Sequence, residues 1–414
     1  MLITRRDWLS ITFGSASVAM AFPYRVAAAQ NGLAGVMERR ISRIIHGFEL
    51  QGFHRTGTTV DRVSGDWLCE EVRRAGLVPT REPFSLSRVN LVTNVLIAGD
   101  RRIEGVPLFD GAFTDGGGVR GRLGTLDSDA EIGLAETAPN AAASGPLGDA
   151  RRKNRHRAIV CVTRGERAGL CPSNADFFLQ PFGPPVLQVS SEDASWLSEQ
   201  AQRGSEVQLI ARVTRTAASA VNVTAMIKGA DLALPPLVIS TPRSGWYSCA
   251  SERGGGIACW LEAMRALRTA RPGRTILFVA FSGHELGLLG INAFVDRRPG
   301  IVPKTVGWIH FGANIGAATD PGNRLGASDD DFDAIASGAM ASSGLRIDLR
   351  IPRGTIPGGE AEVVHRGGGR YLAVTGRSAL FHNPEDRGPQ AVDPTAIARF
   401  STAFITVARM MATV

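Results

Sequence analysis

Residues 274–290 read R-T-I-L-F-V-A-F-S-G-H-E-L-G-L-L-G, and this stretch decides the fold. Ile276 to Phe281 is an unbroken apolar run, rich in β-branched and aromatic residues. That is the pattern of a strand buried on both faces of its sheet. It stops at Ser282-Gly283, and a Leu/Gly-rich helical start follows. Between strand and helix stand two polar side chains, His284 and Glu285. In open α/β sheets the functional crevice lies at the carboxyl ends of the strands. The pair is therefore placed for chemistry, with helix capping or packing as the alternative role.

Working outward, strands and helices alternate on both sides of this turn. Strands are expected at Leu237 to Ser240 and Thr305 to Phe311, and helices at Gly256 to Thr269, Leu286 to Val295 and Asp330 to Ser342. The closing helix, Pro394 to Met411, sets Ile397, Phe400, Phe404, Val407, Ala408 and Met411 on one face. Such alternation predicts an α/β fold: a mostly parallel sheet with helices on both faces, three layers in all. Upstream, Val36 to Phe48 and Ser64 to Ala75 have helical periodicity on either side of the polar loop F-H-R-T-G-T-T-V-D. Gly76 is expected just past the second helix, in the left-handed conformation. From about Val89 to Asn222 the texture changes to short apolar runs between Gly/Asp/Pro turns, which predicts a small β-rich domain. One helix, Ser191 to Arg203, interrupts it.

A chain of 414 residues buries a large core and has room for more than one domain. The formal charge is +7, but the basic residues are scattered. The densest run, Arg151 to Arg157, has no aromatic interleaving and reads as a solvated loop or strand edge, so no nucleic-acid partner is expected. At the N-terminus, Arg5-Arg6 precedes a short, weakly apolar run from Ile11 to Phe22, and Ala27-Ala28-Ala29 follows. This resembles a bacterial twin-arginine export signal covering residues 1–29, with a periplasmic or secreted destination. The run is too short and polar for a membrane span, so no stable span is expected after signal removal. An oxidising compartment permits disulfides. Cys161/Cys171 and Cys249/Cys259 are the pairs that could bridge, although cysteine is also a common buried apolar residue.

The residues at 281–290 resemble the sheet-to-helix turn of the zinc-dependent aminopeptidase family of co-catalytic di-zinc exopeptidases. That family carries Glu-Glu followed by x-G-L-x-G, the first Glu as general base and the second as zinc ligand. Here His284 replaces the first and Glu285 keeps the second. The resemblance extends over nearly the whole mature chain. It implies a peptidase-like domain of residues 30–88 and 223–414. It also implies a protease-associated-type inserted domain at 89–222, which supplies cavity walls or partner contacts rather than catalysis.

A two-metal hydrolase needs carboxylate and imidazole ligands converging on two ions. The resemblance locates five ligand places here. The first, a His-x-Asp, falls on Pro242 and Ser244. The second, a bridging Asp followed by Asn, falls on Glu252 and Arg253. The third is His284-Glu285, and the fourth, an Asp after I-N-x, falls on Gly312 in Ile309-His310-Phe311-Gly312. The fifth is His382 in Phe381-His382-Asn383-Pro384-Glu385-Asp386. Two zinc ions are therefore not expected. At most one zinc is implied, on Glu252, Glu285 and His382, with a salt-bridged, metal-free pocket as the alternative. His284 stands at the general-base position, and Ser244, Arg253 and His310 complete the expected pocket. Ser244 lacks the G-x-S-x-G elbow of a nucleophilic serine.

Three functions fit these residues. One is an impaired member of the family that binds a peptide or other small ligand in the old cleft. Another is a surviving hydrolase that uses one metal or a histidine-based site. The third is an envelope interaction protein acting through the inserted domain.

Overall fold

The computed structural model describes residues 35–413; the twin-arginine segment, 1–29, lies outside them. Helix α1, residues 35–49, buries Ile41, Ile44, Ile45 and Phe48. Helix α2, Thr59–Arg74, starts five residues before the expected Ser64 because the Thr58 side chain accepts a hydrogen bond from Asp61 N and caps it. Gly76 follows at φ +89°, as its place after the helix requires.

The strands β1 (Thr80–Ala98), β2 (Arg101–Glu104), β3 (Val106–Pro107), β4 (Val119–Thr125) and β5 (Ile132–Thr137) come next, then helix α3 (Gly145–Lys153). They are followed by β6 (Ala158–Thr163), β7 (Val186–Ser190), α4 (Ala194–Arg203) and β8 (Glu206–Ile227). The second half runs β9 (Leu237–Pro242), α5 (Gly254–Leu267), β10 (Ile276–Phe281), α6 (Leu289–Asp296) and β11 (Gly307–Phe311). It closes with β12 (Gly322–Ala327), α7 (Asp330–Ser342), β13 (Leu349–Ile351), α8 (Ala361–Arg366), β14 (Tyr371–Arg377) and α9 (Pro394–Ala412).

The strands β14, β11, β9 and β10 lie side by side and parallel. Successive residues of a strand face opposite sides, so each strand feeds two cores. Ile239, Phe278 and Ile309 pack with α1, α2, α5, α7 and α9, around Trp260 and Phe404. Val238, Val279 and Trp308 pack on the other side with α6 and α8, around Phe294 and Val364. The result is the mostly parallel three-layer α/β fold expected from the alternating pattern.

Strands β1 and β8 form an antiparallel ribbon from Thr80↔Thr224 to Ile97↔Gln208. The last residues of β8 pair with β10 and its first with β4, so this ribbon ties the main sheet to the strands β4 to β7. Both ribbon strands run without interruption through residues 88–89 and 222–223. The β4–β7 strands and α4 enclose a core of their own, including Leu123, Val160, Leu187 and Leu197.

Two expectations change. The run 151–157 is not a wholly solvated edge: Arg151, on α3, is fully buried, paired with Asp110 at 2.7 Å and stacked on Phe182. All five cysteines are buried free thiols, so neither candidate pair bridges. No helix among the described residues is long and apolar enough to cross a membrane.

Candidate functional site

Because β9, β10, β11 and β14 are parallel, the loops that leave their carboxyl ends all open on one edge of the sheet. These loops, with Pro242 at the end of β9 and His310 near the end of β11, carry every residue singled out from the sequence. The turn after β10 is tight. Gly283 (φ +83°) bends the chain, His284 to Leu286 form a single 3₁₀ turn, and Gly287 and Leu288 are again left-handed. Helix α6 therefore begins at Leu289 rather than Leu286.

Glu285 is buried, and both of its oxygens have partners. Thr56 N donates to Oε1 at 2.7 Å, and the Ser244 hydroxyl donates to Oε2 at 2.7 Å. Ser244 Oγ in turn accepts from Gly283 N at 2.9 Å and His284 N at 3.2 Å. Ser244 is a fully engaged structural hydroxyl that holds the turn in place, not a free nucleophile. Thr56 belongs to the polar loop before α2, a contribution sequence reasoning did not assign.

Glu252 and His382 meet at the centre. His382 Nε2 lies 3.3 Å from Glu252 Oε1, and His382 Nδ1 faces Pro172 O at 2.6 Å. The same Glu252 oxygen faces Arg253 Nη2 at 2.7 Å, while Arg253 Nε donates to Ser244 O at 2.7 Å. Arg253 and Glu252 are each 1 % exposed. Their contact is an ion pair by distance, but it falls outside hydrogen-bonding alignment. Both Nη atoms of Arg253, Glu252 Oε1 and His382 Nε2 are left as buried polar atoms without hydrogen-bond partners. Burial works against ionisation of Glu252, but the Arg253 guanidinium and His382 outweigh it and hold the carboxyl well below its usual range. Asp386 accepts from Ser251 N and Glu252 N at 2.7 and 2.9 Å and anchors this loop. Burial and the nearby Glu252 nevertheless push its carboxyl up to about 7.

These donors do not fit a bound zinc ion. A guanidinium already faces the Glu252 oxygen that His382 approaches, and a dication there would meet its positive charge. Glu285 is turned to Thr56 and Ser244. Pro242 and Gly312 bring no ligating side chain. Among the described residues no three His, Cys, Asp or Glu side chains converge as a metal-ligand set.

Above this centre lies a cleft of about 550 Å³. His284 and His310 line it; Ser244, Arg253, Glu252 and His382 are buried beneath. Sequence reasoning missed the residue joining the two histidines. Glu360, 1 % exposed, lies 3.1 Å from His284 Nδ1 through each oxygen and 3.4 Å from His310 Nε2. His310 Nδ1 faces Ser240 Oγ at 3.1 Å. Burial opposes ionisation of Glu360, but His284, His310 and Arg253 together lower its carboxyl to about 2. Burial lowers His310 to about 4, only partly offset by Glu360. The one signal in the sequence was an acid placed directly after Gly358-Gly359, ahead of a short helix.

Residues 240–408 match the model of Peptidase family M28. A curated relative, "Aminopeptidase YwaD" of Bacillus subtilis, is 26 % identical over 182 residues. That match covers 43 % of this chain, and the chain spans only 36 % of the relative's length. Among solved structures, a zinc aminopeptidase from Bacillus subtilis superposes with a TM-score of 0.74 at 17 % identity, covering 92 % of this chain and 95 % of that one. An aminopeptidase from Aneurinibacillus sp. strain AM-1 gives 0.70 at 14 % identity, over 91 % and 94 %. A peptidase M28 precursor from Shewanella amazonensis SB2B gives 0.71 at 16 % identity, over 92 % and 96 %. The fold is that of these aminopeptidases, as the resemblance around His284-Glu285 implies.

Proposed function

We propose that this chain, with a peptidase family M28 match over residues 240–408, uses the aminopeptidase scaffold to bind a peptide or similar small ligand without two-zinc hydrolysis. One observation supports the reading: the Arg253 guanidinium, 2.7 Å from Glu252 Oε1, supplies positive charge where the family resemblance leads one to expect a metal. A buried carboxylate needs a cation beside it. Here the chain provides its own.

Without a metal, a scissile amide has no Lewis acid on its carbonyl, a contribution of several kcal/mol to the barrier. The protein is therefore a poor aminopeptidase. Leucyl-p-nitroanilide turnover stays at background with or without added zinc, and His284→Glu does not restore it, while calorimetry detects a short peptide in the cleft. Zinc-dependent turnover by the unmodified chain contradicts the reading. A single-zinc hydrolase draws support from the unpartnered Glu252 Oε1 and His382 Nε2, but the same Arg253 opposes it.

Export is part of the proposal and rests on Arg5-Arg6 ahead of a weak apolar run. Replacing both with Lys traps the precursor in the cytoplasm, and normal periplasmic maturation of that variant rejects the assignment.

A further inference from the structure

Glu360 is hydrogen-bonded to His284 Nδ1 at 3.1 Å, and His310 Nε2 faces it at 3.4 Å as an ion-pair contact outside hydrogen-bonding alignment. His310 Nδ1 is hydrogen-bonded to Ser240 Oγ, 3.1 Å away. An ionised carboxylate only accepts, so His284 Nδ1 carries the proton that faces it. In the neutral imidazole, His284 Nε2 is then the acceptor nitrogen. The His284 side chain is 12 % exposed and lines the cleft beside the more deeply buried His310, whereas Glu360 is sealed behind them. An imidazole oriented through Nδ1 by a buried carboxylate, its other nitrogen toward a cavity, is the arrangement of a general base.

A second polar residue borders the same cleft. Asn314 follows β11, is 6 % exposed and adopts φ +62°, a conformation that costs energy outside glycine. Its side-chain Oδ1 is buried without a partner, and the residue lines the cavity. The two ends of a carboxamide interchange by a half-turn, so Asn314 can offer Nδ2–H to a carbonyl oxygen. A single donor of this kind on a developing oxyanion is worth roughly a hundred- to a thousandfold in rate.

We propose that His284, oriented by Glu360, and Asn314 form a metal-independent site that hydrolyses small carboxylic esters. Water loses a proton to His284 Nε2 as its oxygen bonds to the ester carbonyl carbon. The carbonyl electron pair moves onto oxygen, where Asn314 donates a hydrogen bond. Collapse of that intermediate breaks the acyl–oxygen bond, and the leaving alkoxide takes the proton back from His284. The products are a carboxylic acid and an alcohol. An ester suits the site better than an amide because its leaving group departs with less need for protonation and without a metal on the carbonyl. Asp176, Glu362 and Glu166 line the cleft together with Arg324 and Arg377, the last paired with Glu166 at 3.0 Å, so charges of both signs border the acyl group.

The test is steady-state hydrolysis of p-nitrophenyl butyrate by the mature chain in excess EDTA. The expected result is saturable turnover that EDTA leaves unchanged. His284→Gln should lower kcat/KM by about a hundredfold or more. Asn314→Ala should lower kcat by about a hundredfold. Glu360→Gln, acting only through His284, should lower kcat more than tenfold while leaving KM in place, a split that a general loosening of the cleft would not give. Glu360 is buried, and its substitution puts folding at risk. Near-UV circular dichroism is therefore read on every sample, and the comparison with the less buried His284→Gln is decisive. Turnover by the unmodified chain no faster than by folded His284→Gln overturns the proposal, as does loss of turnover in EDTA. Peptide calorimetry on the same samples separates the two readings: peptide binding without ester turnover overturns this proposal alone, and ester turnover without peptide binding overturns only the peptide reading.

Discussion

Arg253 is the residue on which the centre turns. It is buried, and its charge faces Glu252 at 2.7 Å while its Nε is held by Ser244 O. Removing one partner of a buried pair strands the other and costs about 3–5 kcal/mol. Arg253→Met should lower unfolding free energy by about that amount in denaturant titrations. The double variant Arg253→Met/Glu252→Gln should recover part of the loss, because no uncompensated carboxylate remains. A single variant as stable as the unmodified chain contradicts the pairing. Restoring metal ligands meets packing at this scale too. A Cβ on Gly312 would lie 2.6 Å from Thr375 Cγ2, so an Asp at this position requires Thr375 to shift or shrink. Cys249 (φ +54°) and His382 (φ +56°) both sit in left-handed conformations rare for non-glycine residues, and both face Glu252. Strain held on two sides of one carboxylate marks this loop cluster as a constructed site.

At the scale of elements, the site depends on how close α5 comes to the loop after β11. An added Cβ on Gly255 would stand 1.9 Å from Ile315 O, a backbone atom that cannot rotate away. Gly255→Ala should therefore push α5 off that loop and cost about 1–3 kcal/mol or more, measured by thermal or chemical unfolding. An undisturbed melting transition would show that the loop yields freely. Elements with strong local signals are legible in the sequence. The run Ile276–Phe281 forms β10 at the expected bounds, and α7 spans Asp330–Ser342 as its periodicity and acidic first turn imply. Others are not. β12 (G-N-R-L-G-A) and β13 (L-R-I) are short and rich in Gly and Arg, and pairing rather than local preference makes them strands. The β1–β8 ribbon reads as separate short pieces because Ser85 to Thr93 mixes polar residues among Leu86, Val89, Leu91 and Val92 and Thr214 to Ser219 is polar or small, yet the cross-strand ladder carries it through. Glu360 is invisible for a related reason. It meets His284 across 76 residues of chain, and no local pattern announces such a contact.

At the scale of the whole molecule, the strands between β4 and β8 do more than extend the sheet. The segment after β6 reaches over the centre. Pro172 O receives His382 Nδ1, Ala175 N donates to Glu285 O at 2.9 Å, and Asn383 Nδ2 donates to Ala168 O at 2.9 Å. Trp246 Nε1 to Asn174 Oδ1 and Tyr247 OH to Leu170 O, at 3.1 and 2.8 Å, fix the same segment from the other side. The buried charges thus lie in a closed compartment between the main sheet and this cover, while the cleft with His284 and Asn314 stays open beside it. Closure matters to the electrostatics, since a pair screened from water is stronger and a lone charge costs more. The expected ligand places can be named one by one from the family resemblance. Their joint meaning is not, because it depends on where Arg253 points.

The most direct test of a self-supplied cation is the zinc content of the mature chain after export and purification without chelator, by inductively coupled plasma mass spectrometry. Far less than one zinc per chain is expected, with no stoichiometric uptake on titration with zinc. One or two tightly held ions per chain, with Arg253 displaced from Glu252, would contradict a self-supplied cation.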